Sequence, residues 1–90
     1  MIKKYCSCVR AVQNNGKNSK EIDDFVREIT GEECCAKKSI MASNSLRIIR
    51  RLSDTVIDVC RQGDYIVAAR NSKYLIVDSV AFESIFEECK

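Results

Sequence analysis

The chain of 90 residues contains no histidine, and its three glycines stand far apart. A nucleophilic cysteine needs a base such as histidine beside its thiol, so the absence of histidine argues against papain-like chemistry. Isolated glycines exclude the glycine-rich loops that cradle phosphates in many nucleotide-binding enzymes. No run of about 18 apolar residues is present, so we expect no transmembrane helix and no membrane partner. These absences favour a binding protein over an enzyme, with no catalytic residues and no cofactor.

Six cysteines are present, and none forms a Cys-x-x-Cys pair: Cys6, Cys8, Cys34, Cys35, Cys60 and Cys89. A zinc site needs about four thiolates or imidazoles around one ion. The basic start of the chain is not followed by an apolar segment, so we expect neither a secretory signal nor a disulfide framework. We therefore predict free thiols that serve as small core residues. The alternative is a metal site seeded by Cys6 and Cys8, which would point the same way from one strand.

The residue pattern predicts one α+β domain over residues 1–90. A hydrophobic content of 46% and a charged content of 31% are ordinary for a globular protein and argue against disorder. Alternating apolar and β-forming residues predict a small, mostly antiparallel sheet. Its strands are expected near 5–13, 46–52, 55–60, 65–69 and 74–78, and two helices are expected near 19–29 and 79–88.

The first helix has clear start and stop signals. Asn18 or Ser19 is expected to cap it, and with Asn18 in that place Glu21 stands where a capping box needs it. Gly31 is expected to end it in the C′ position. Its buried stripe is predicted from helical spacing: Ile22, Phe25, Val26 and Ile29.

Residues 46–62 fit two structures. Their apolar residues recur with a helical period, but the abundance of isoleucine and valine favours strands. We predict a hairpin of 46–52 and 55–60 that turns at Ser53-Asp54, and a single helix is the alternative. The pattern over residues 34–42 is weaker and fits either a strand or irregular structure.

The most informative stretch is 63–89. Gly63-Asp64 is a turn signal, and two apolar β-forming segments follow it, joined by a short polar loop at 70–73. Both segments are apolar on both faces, so we expect two central strands that are covered on both sides. Ser79 is expected to cap a closing helix. The apolar stripe of that helix is predicted at Phe82, Ile85, Phe86 and Cys89.

Motifs at both ends of the chain support a resemblance. Gly-Asp-Tyr-Ile-Val at 63–67, a hairpin and then Phe-x-x-x-Phe-Glu-Glu at 82–88 resemble the C-terminal half of a set of small tailed-phage and prophage proteins. Val-Arg-Ala-Val-Gln at 9–13, followed by a loop and an amphipathic helix, is similar to their N-terminal part. The family usually has an aromatic residue where this chain has Asn14, and often a proline where it has Gln62. The resemblance implies the fold, a phage origin and hence the cytoplasm of an infected host, and it implies no catalytic residues.

Charge is unevenly distributed although the net charge is only +2. Residues 20–33 hold six acidic and two basic residues, whereas residues 37–73 hold eight basic and three acidic ones. Such asymmetry is found on anion-facing surfaces, and equally on ordinary solvated faces. We predict an anion-binding set with aromatic support: Arg47, Arg50, Arg51, Arg70, Lys73, Tyr65 and Tyr74. In the hairpin Arg50 shares its face with apolar residues, so it needs Asp54, Asp58 or a bound anion as partner.

The combined pattern predicts a phage accessory protein that counters host antiviral defence without catalysis. It would sequester a small anionic, nucleotide-like signal or block a host defence protein, and forming a homo-oligomer would enlarge its pocket. The step from phage origin to counter-defence is analogy. The alternatives are a structural or metal-stabilised phage module, and a nuclease inhibitor whose outward Asp23, Asp24, Arg27 and Glu28 imitate nucleic acid. Nucleic acid itself is not favoured as a partner, because long basic stripes with interleaved aromatics are lacking.

Overall fold

A computed structural model describes residues 2–5, 9–40 and 44–86 of the chain. The strands in these ranges are, in chain order, β1 (Lys3–Tyr5), β2 (Val9–Gln13), β3 (Cys34–Lys38), β4 (Leu46–Arg50), β5 (Thr55–Cys60), β6 (Tyr65–Ala68) and β7 (Tyr74–Val77), and the helices are α1 (Ser19–Thr30) and α2 (Ser79–Ile85). The strands pair antiparallel in two sheets, in the orders β1-β2-β6-β7 and β3-β4-β5. The α+β class is thereby confirmed, with two sheets in place of the expected one. Neither helix in this part of the chain is long and apolar enough to cross a membrane.

Helix α1 packs its predicted apolar face against both sheets and forms the main core with them. It ends as expected, because Gly31 takes φ 61° and the N–H of Glu32 donates to the carbonyl oxygen of Arg27 at 2.8 Å. Asn18 is the N-cap residue, one of the two expected, but its side chain does not form the hydrogen bond of the predicted capping box. The side chain of Asn18 accepts from no helical N–H. Its Nδ2 instead donates to Gln13 O at 2.8 Å and to Glu21 Oε1 at 3.0 Å, which ties the helix start to the end of β2.

Helix α2 covers the opposite face of the four-stranded sheet through Phe82. Its N-cap is Asp78 rather than Ser79, since Oδ1 of Asp78 accepts from the N–H of Ala81 at 2.9 Å. The helix ends at Ile85, earlier than predicted, and Phe86 packs on Phe82 from an extended backbone. The predicted stripe is therefore wrong at Ile85, which is 68% exposed. Cys89 and the other residues after Phe86 lie outside the described residues.

Two expectations about the four-stranded sheet are wrong. Strand β6 is central and buried on both faces as predicted, but β7 pairs only with β6 in the described ranges and leaves Leu75 56% exposed. The strand predicted over 5–13 is two strands, because β1 folds back antiparallel on β2 with Tyr5 opposite Val9. Alternation continues through both arms of a hairpin, so it did not reveal the reversal. Cys6 and Cys8, the suggested seed of a metal site, lie outside the described residues.

The hairpin predicted for 46–62 is confirmed by β4 and β5, although β4 ends at Arg50 and Leu52 is 98% exposed in the turn. The uncertain segment before it forms β3, which pairs with β4 over its whole length. Cys34, Cys35 and Ala36 of β3 are all buried. The helical alternative fails because β4 is a central strand with one face on α1, a contact that local periodicity does not encode.

Asn14 holds the junction between the two sheets. This side chain is 2% exposed, and its Nδ2 donates to Asn44 O at 2.9 Å and to Cys60 O at 3.1 Å. Its backbone N–H donates to Asp64 O at 2.9 Å, and its backbone oxygen accepts from the N–H of Gly63 at 2.8 Å. The turn after β5 is thus bonded to the end of β2, which directs β6 into the four-stranded sheet beside β2 rather than beside β5.

Cys60, at the end of β5, predicts a loss of stability at alkaline pH. The thiol is fully buried, and burial, with the charge of Asp64 as a smaller cause, raises the pKa of Cys60 from 9.0 to about 12. Between pH 9 and about 12 the unfolded chain releases the thiol proton while the folded chain keeps it, which favours unfolding. The contribution of the buried Cys60 thiol to the free energy of unfolding is therefore complete below pH 9 and is lost as the pH rises toward 12. We expect the difference in unfolding free energy between the natural chain and Cys60→Ala to be constant below pH 9 and to narrow above it. Urea unfolding at several pH values measures this, and a difference that stays constant up to pH 12 would contradict it.

Candidate ligand pocket

Three parts of the chain surround a cavity of about 360 Å³, called the pocket below. One wall is the end of α1 with the start of β3, the second is formed by β4 and β5, and the third is the β6–β7 loop with the start of β7. The lining residues are Thr30, Glu33, Cys34, Arg50, Ile57, Asp58, Asn71, Ser72, Lys73 and Tyr74. The third wall depends on a tight loop in which Asn71 and Ser72 both have φ near +60°. The pocket therefore lies where the two sheets and α1 meet.

Tyr74 and Asp58 join the two sheets across the pocket. The Tyr74 hydroxyl donates to Oδ2 of Asp58 at 2.7 Å. Burial raises the pKa of Tyr74 above its ordinary value, and the hydrogen bond to the carboxylate and the carboxylate's charge raise it further. The phenol therefore stays protonated at neutral pH and acts as a hydrogen-bond donor. Asp58 is already bonded by Tyr74 and is not the ion-pair partner of Arg50 that the sequence suggested.

Arg50 brings to the pocket a positive charge that forms no ion pair with the described residues, and its side chain is exposed. It follows Leu46 and Ile48 on the inner face of β4, opposite Cys34 on one side and Thr55 on the other. No carboxylate within the described ranges forms an ion pair with it. Lys73 adds a second cation from the loop, likewise without an ion pair there. The two cations face a pocket that also holds the carboxylates of Asp58 and Glu33.

The thiol in the pocket is a poor nucleophile. Burial, and to a smaller extent the charge of Glu33, raise the pKa of Cys34, and nearby Arg50 offsets only part of that rise. The thiolate is the reactive form of cysteine, so a raised pKa lowers reactivity. Cys34, Cys35 and Cys60 are free and buried, in agreement with their expected role in the core.

The structure brings together three of the seven predicted binding residues. Arg50, Lys73 and Tyr74 line the pocket, whereas Arg70 is an exposed loop residue outside the lining. Tyr65 lies on the far side of the four-stranded sheet, 8% exposed and stacked on Phe82 with 3.8 Å between ring centroids. A single anion site with all seven side chains is therefore not formed.

The remaining two arginines lie away from the pocket. Arg51 donates from Nη1 to Oε2 of Glu32 at 2.7 Å, so its charge is already paired. Arg47 lies on the face of β4 opposite Arg50, and its buried Nε has no hydrogen-bond partner within the described ranges. Arg47 and Arg50 are three residues apart on one strand, so the alternation of side chains separates them.

The acidic helix face is largely occupied by the chain's own groups. Asp23 is not fully outward as expected, since its Oδ1 accepts from the N–H of Ala36 at 2.9 Å and from Nε of Arg27 at 3.2 Å. Asp24 pairs with Lys20, and Glu28 pairs with Arg10. Asp23 thus anchors α1 to β3, while the ion pairs of Asp24 and Glu28 are exposed at the surface.

Sequence reasoning missed several lining residues, among them Thr30, Glu33 and Asn71. Thr30 ends α1, Glu33 precedes β3, and Asn71 sits in the hairpin loop, where each residue type has an ordinary local explanation. The left-handed loop was signalled weakly by Asn-Ser between two β-forming segments. No local signal predicts that this loop would lie over β5.

Metal binding has no support in the described residues, where no three His, Cys, Asp or Glu side chains are grouped to hold an ion. No protein-family model, curated protein or solved structure matches the chain.

Proposed function

We propose that the protein binds a small anionic molecule in the pocket without transforming it. In a phage setting, which rests on the sequence resemblance, that molecule is a nucleotide-like signal of host defence, and holding it keeps the signal from its receptor. The observation that carries the proposal is the guanidinium of Arg50, which faces the pocket with no ion-pair partner in the described residues. Arg50 is exposed, so the argument depends on its missing ion pair and on the planar donors that an arginine offers to a phosphate or carboxylate, and not on burial of its charge.

The other lining groups favour a ligand that carries more than negative charge. Lys73 gives a second cationic contact for a phosphate or carboxylate, while Glu33 and the remaining oxygen of Asp58 accept hydrogen bonds from hydroxyl or amino groups. A volume of about 360 Å³ is at the small end of ligand pockets. A mononucleotide has both kinds of group and is of suitable size, whereas a bare polyanion would be repelled by the two carboxylates.

Binding without catalysis agrees with the protonation states in the pocket. Tyr74 is held protonated as a donor to Asp58, and Cys34 is held as a thiol, so neither supplies a base or a nucleophile at neutral pH. The other proposed mode, in which the protein blocks a host defence protein, needs no pocket ligand and is separated from sequestration by the experiment below.

Isothermal titration calorimetry with AMP, cyclic mononucleotides and ADP-ribose tests sequestration. We expect at least one of them to bind, and Arg50→Gln to weaken its binding by roughly 10- to 100-fold, because a hydrogen bond to a charged group contributes about 1.5–3 kcal/mol. Arg61→Gln is the matched control, since Arg61 is exposed, lies outside the pocket lining and should bind as the natural chain does.

Two results would overturn sequestration. One is the absence of binding heat with every compound in the series, which leaves the blocking of a host protein as the remaining mode. The other is equal affinity for the natural chain and Arg50→Gln, which would place the ligand elsewhere.

A further inference from the structure

Strand β5 presents an open edge. Among the described residues it pairs only with β4, and five of its six residues are exposed or half-buried. A free edge carries unpaired backbone N–H and C=O groups that can bind another strand. The opposite edge of the same sheet, β3, carries the exposed Lys37 and Lys38 and packs against α1, whereas β5 contains no lysine, proline or glycine. β5 therefore has no lysine or proline against edge-to-edge pairing, and its protective features are a bulge at Ile57 and the inward carboxylate of Asp58, which already accepts from Tyr74.

The exposed valines of β5 lie on one face because of a bulge. Val59 is opposite Arg47 and Val56 is opposite Ile49, while Ile57 is the extra residue between them. Arg47 and Ile49 are two residues apart on β4, so both valines share the outer face, which is the face of the sheet turned away from α1. Val56 is 45% and Val59 46% exposed. The outer face therefore has an apolar strip that runs along the open edge.

This strip is complementary to itself under a two-fold rotation. When two copies of β5 run antiparallel about a point between Ile57 and Asp58, Val56 of each copy faces Val59 of the other. Both pairs then lie on the outer face and continue the apolar row through Ile49 of each copy. Cross-strand pairs of β-branched residues stabilise such a junction. We propose that β5 pairs in this register with β5 of a second copy, so that one sheet runs through a homodimer.

Charge on the outer face does not oppose this pairing. Lys37 and Arg47 face each other in register on β3 and β4, and like charges on neighbouring strands repel. In the dimer the β4 strands of the two copies are three strand spacings apart, about 14 Å, which exceeds the Debye length of about 8 Å at physiological salt. The cations of the two copies are therefore screened from one another, whereas the valines between them leave water. An interface of this kind, with one self-complementary patch on each copy, is the usual geometry of two-fold dimers.

Analytical ultracentrifugation over a range of protein concentrations tests the dimer. We expect the natural chain to sediment with twice the mass of one chain, and Val59→Lys and Val56→Glu to sediment each as a monomer. Mixing these two variants should restore a dimer, because the proposed register places one lysine opposite one glutamate and leaves one Val–Val pair intact. Val80→Lys is the matched control, since Val80 is 76% exposed on α2, away from β5, and this variant should remain a dimer.

Far-UV circular dichroism confirms that each variant is folded before its mass is compared. A natural chain that is monomeric at every concentration overturns the proposal. A Val59→Lys variant that remains a dimer also overturns it. A mixture of folded Val59→Lys and Val56→Glu that stays monomeric excludes the proposed register, in which residue 56 of one copy faces residue 59 of the other. The proposal does not need a ligand in the pocket, but Ile57 and Asp58 of β5 line it, so calorimetry on the folded Val59→Lys variant separates sequestration from dimer formation.

Discussion

Replacing Phe82 by alanine is expected to lower the free energy of unfolding by about 3–5 kcal/mol, the usual range for a buried phenylalanine. Phe82 is 1% exposed and is the only buried residue of α2 in the described ranges. Its ring stacks on the Tyr65 ring with 3.8 Å between ring centroids and packs at a tilt on the Phe86 ring with 4.8 Å between centroids. Truncation removes the contact that holds α2 on the sheet and exposes the small core formed with Ala11 and Val67. Urea denaturation monitored by circular dichroism measures the loss.

Ile85→Ala is the control for that variant, because Ile85 is on the same helix but 68% exposed. Its expected effect is within about 0.5 kcal/mol, as for most surface substitutions. A Phe82→Ala variant that loses no more stability than Ile85→Ala would mean that α2 does not seal this face of the sheet.

Asn14→Ala is expected to cost roughly 2–4 kcal/mol, because each buried polar group left unsatisfied costs about 1–3 kcal/mol. The change removes two hydrogen bonds from Nδ2, to Asn44 O and Cys60 O, and the bond that Oδ1 accepts from the N–H of Gly16 at 3.0 Å. Cys60 is fully buried, so its carbonyl oxygen loses the Asn14 donor in an apolar setting. Thermal unfolding should therefore begin at the junction between the two sheets, and hydrogen exchange of the amides in residues 60–64 should accelerate first.

The neighbouring Asn15→Ala variant is the control for Asn14→Ala. Asn15 is exposed and its Oδ1 accepts only the local N–H of Lys17 at 2.8 Å, so a much smaller loss is expected. Equal losses in the two variants would show that the loop, and not the junction held by Asn14, is what each substitution disturbs.

Some features of the fold were predictable because they depend on residues that are close together along the chain. Helix α1 was predicted from apolar residues at helical spacing and from Gly31, and its buried face and C′ position agree with the structure. The β4–β5 hairpin was predicted from β-branched composition, and the faces assigned to Arg47, Ile49 and Arg50 agree as well. These signals are reliable because backbone preference and side-chain alternation act over a few residues.

The candidate site was predictable only in part. Arg50 was singled out because an arginine on an apolar face needs a partner, and the structure places it in the pocket. Tyr65 was grouped with it by composition, but strand alternation turns Tyr65 toward α2 and Ile66 toward α1. The hydrogen bond from Tyr74 to Asp58 joins residues 16 positions apart in different sheets, and no local sequence pattern around either residue predicts it.

The amino-acid sequence alone indicated both helices and most strands, though neither the reversal between β1 and β2 nor β3, and it indicated where α1 stops and which side of the β4–β5 hairpin is apolar. Only the tertiary structure decided that the strands divide into two sheets, that β7 lies at an edge, and that Arg50, Lys73 and Tyr74 meet while Arg47, Arg51 and Tyr65 do not. The physical reason is the distance along the chain over which each signal acts. Local periodicity reports how a segment buries its own side chains, whereas pairing between distant strands depends on contacts such as those of Asn14, which exist only after the chain has folded.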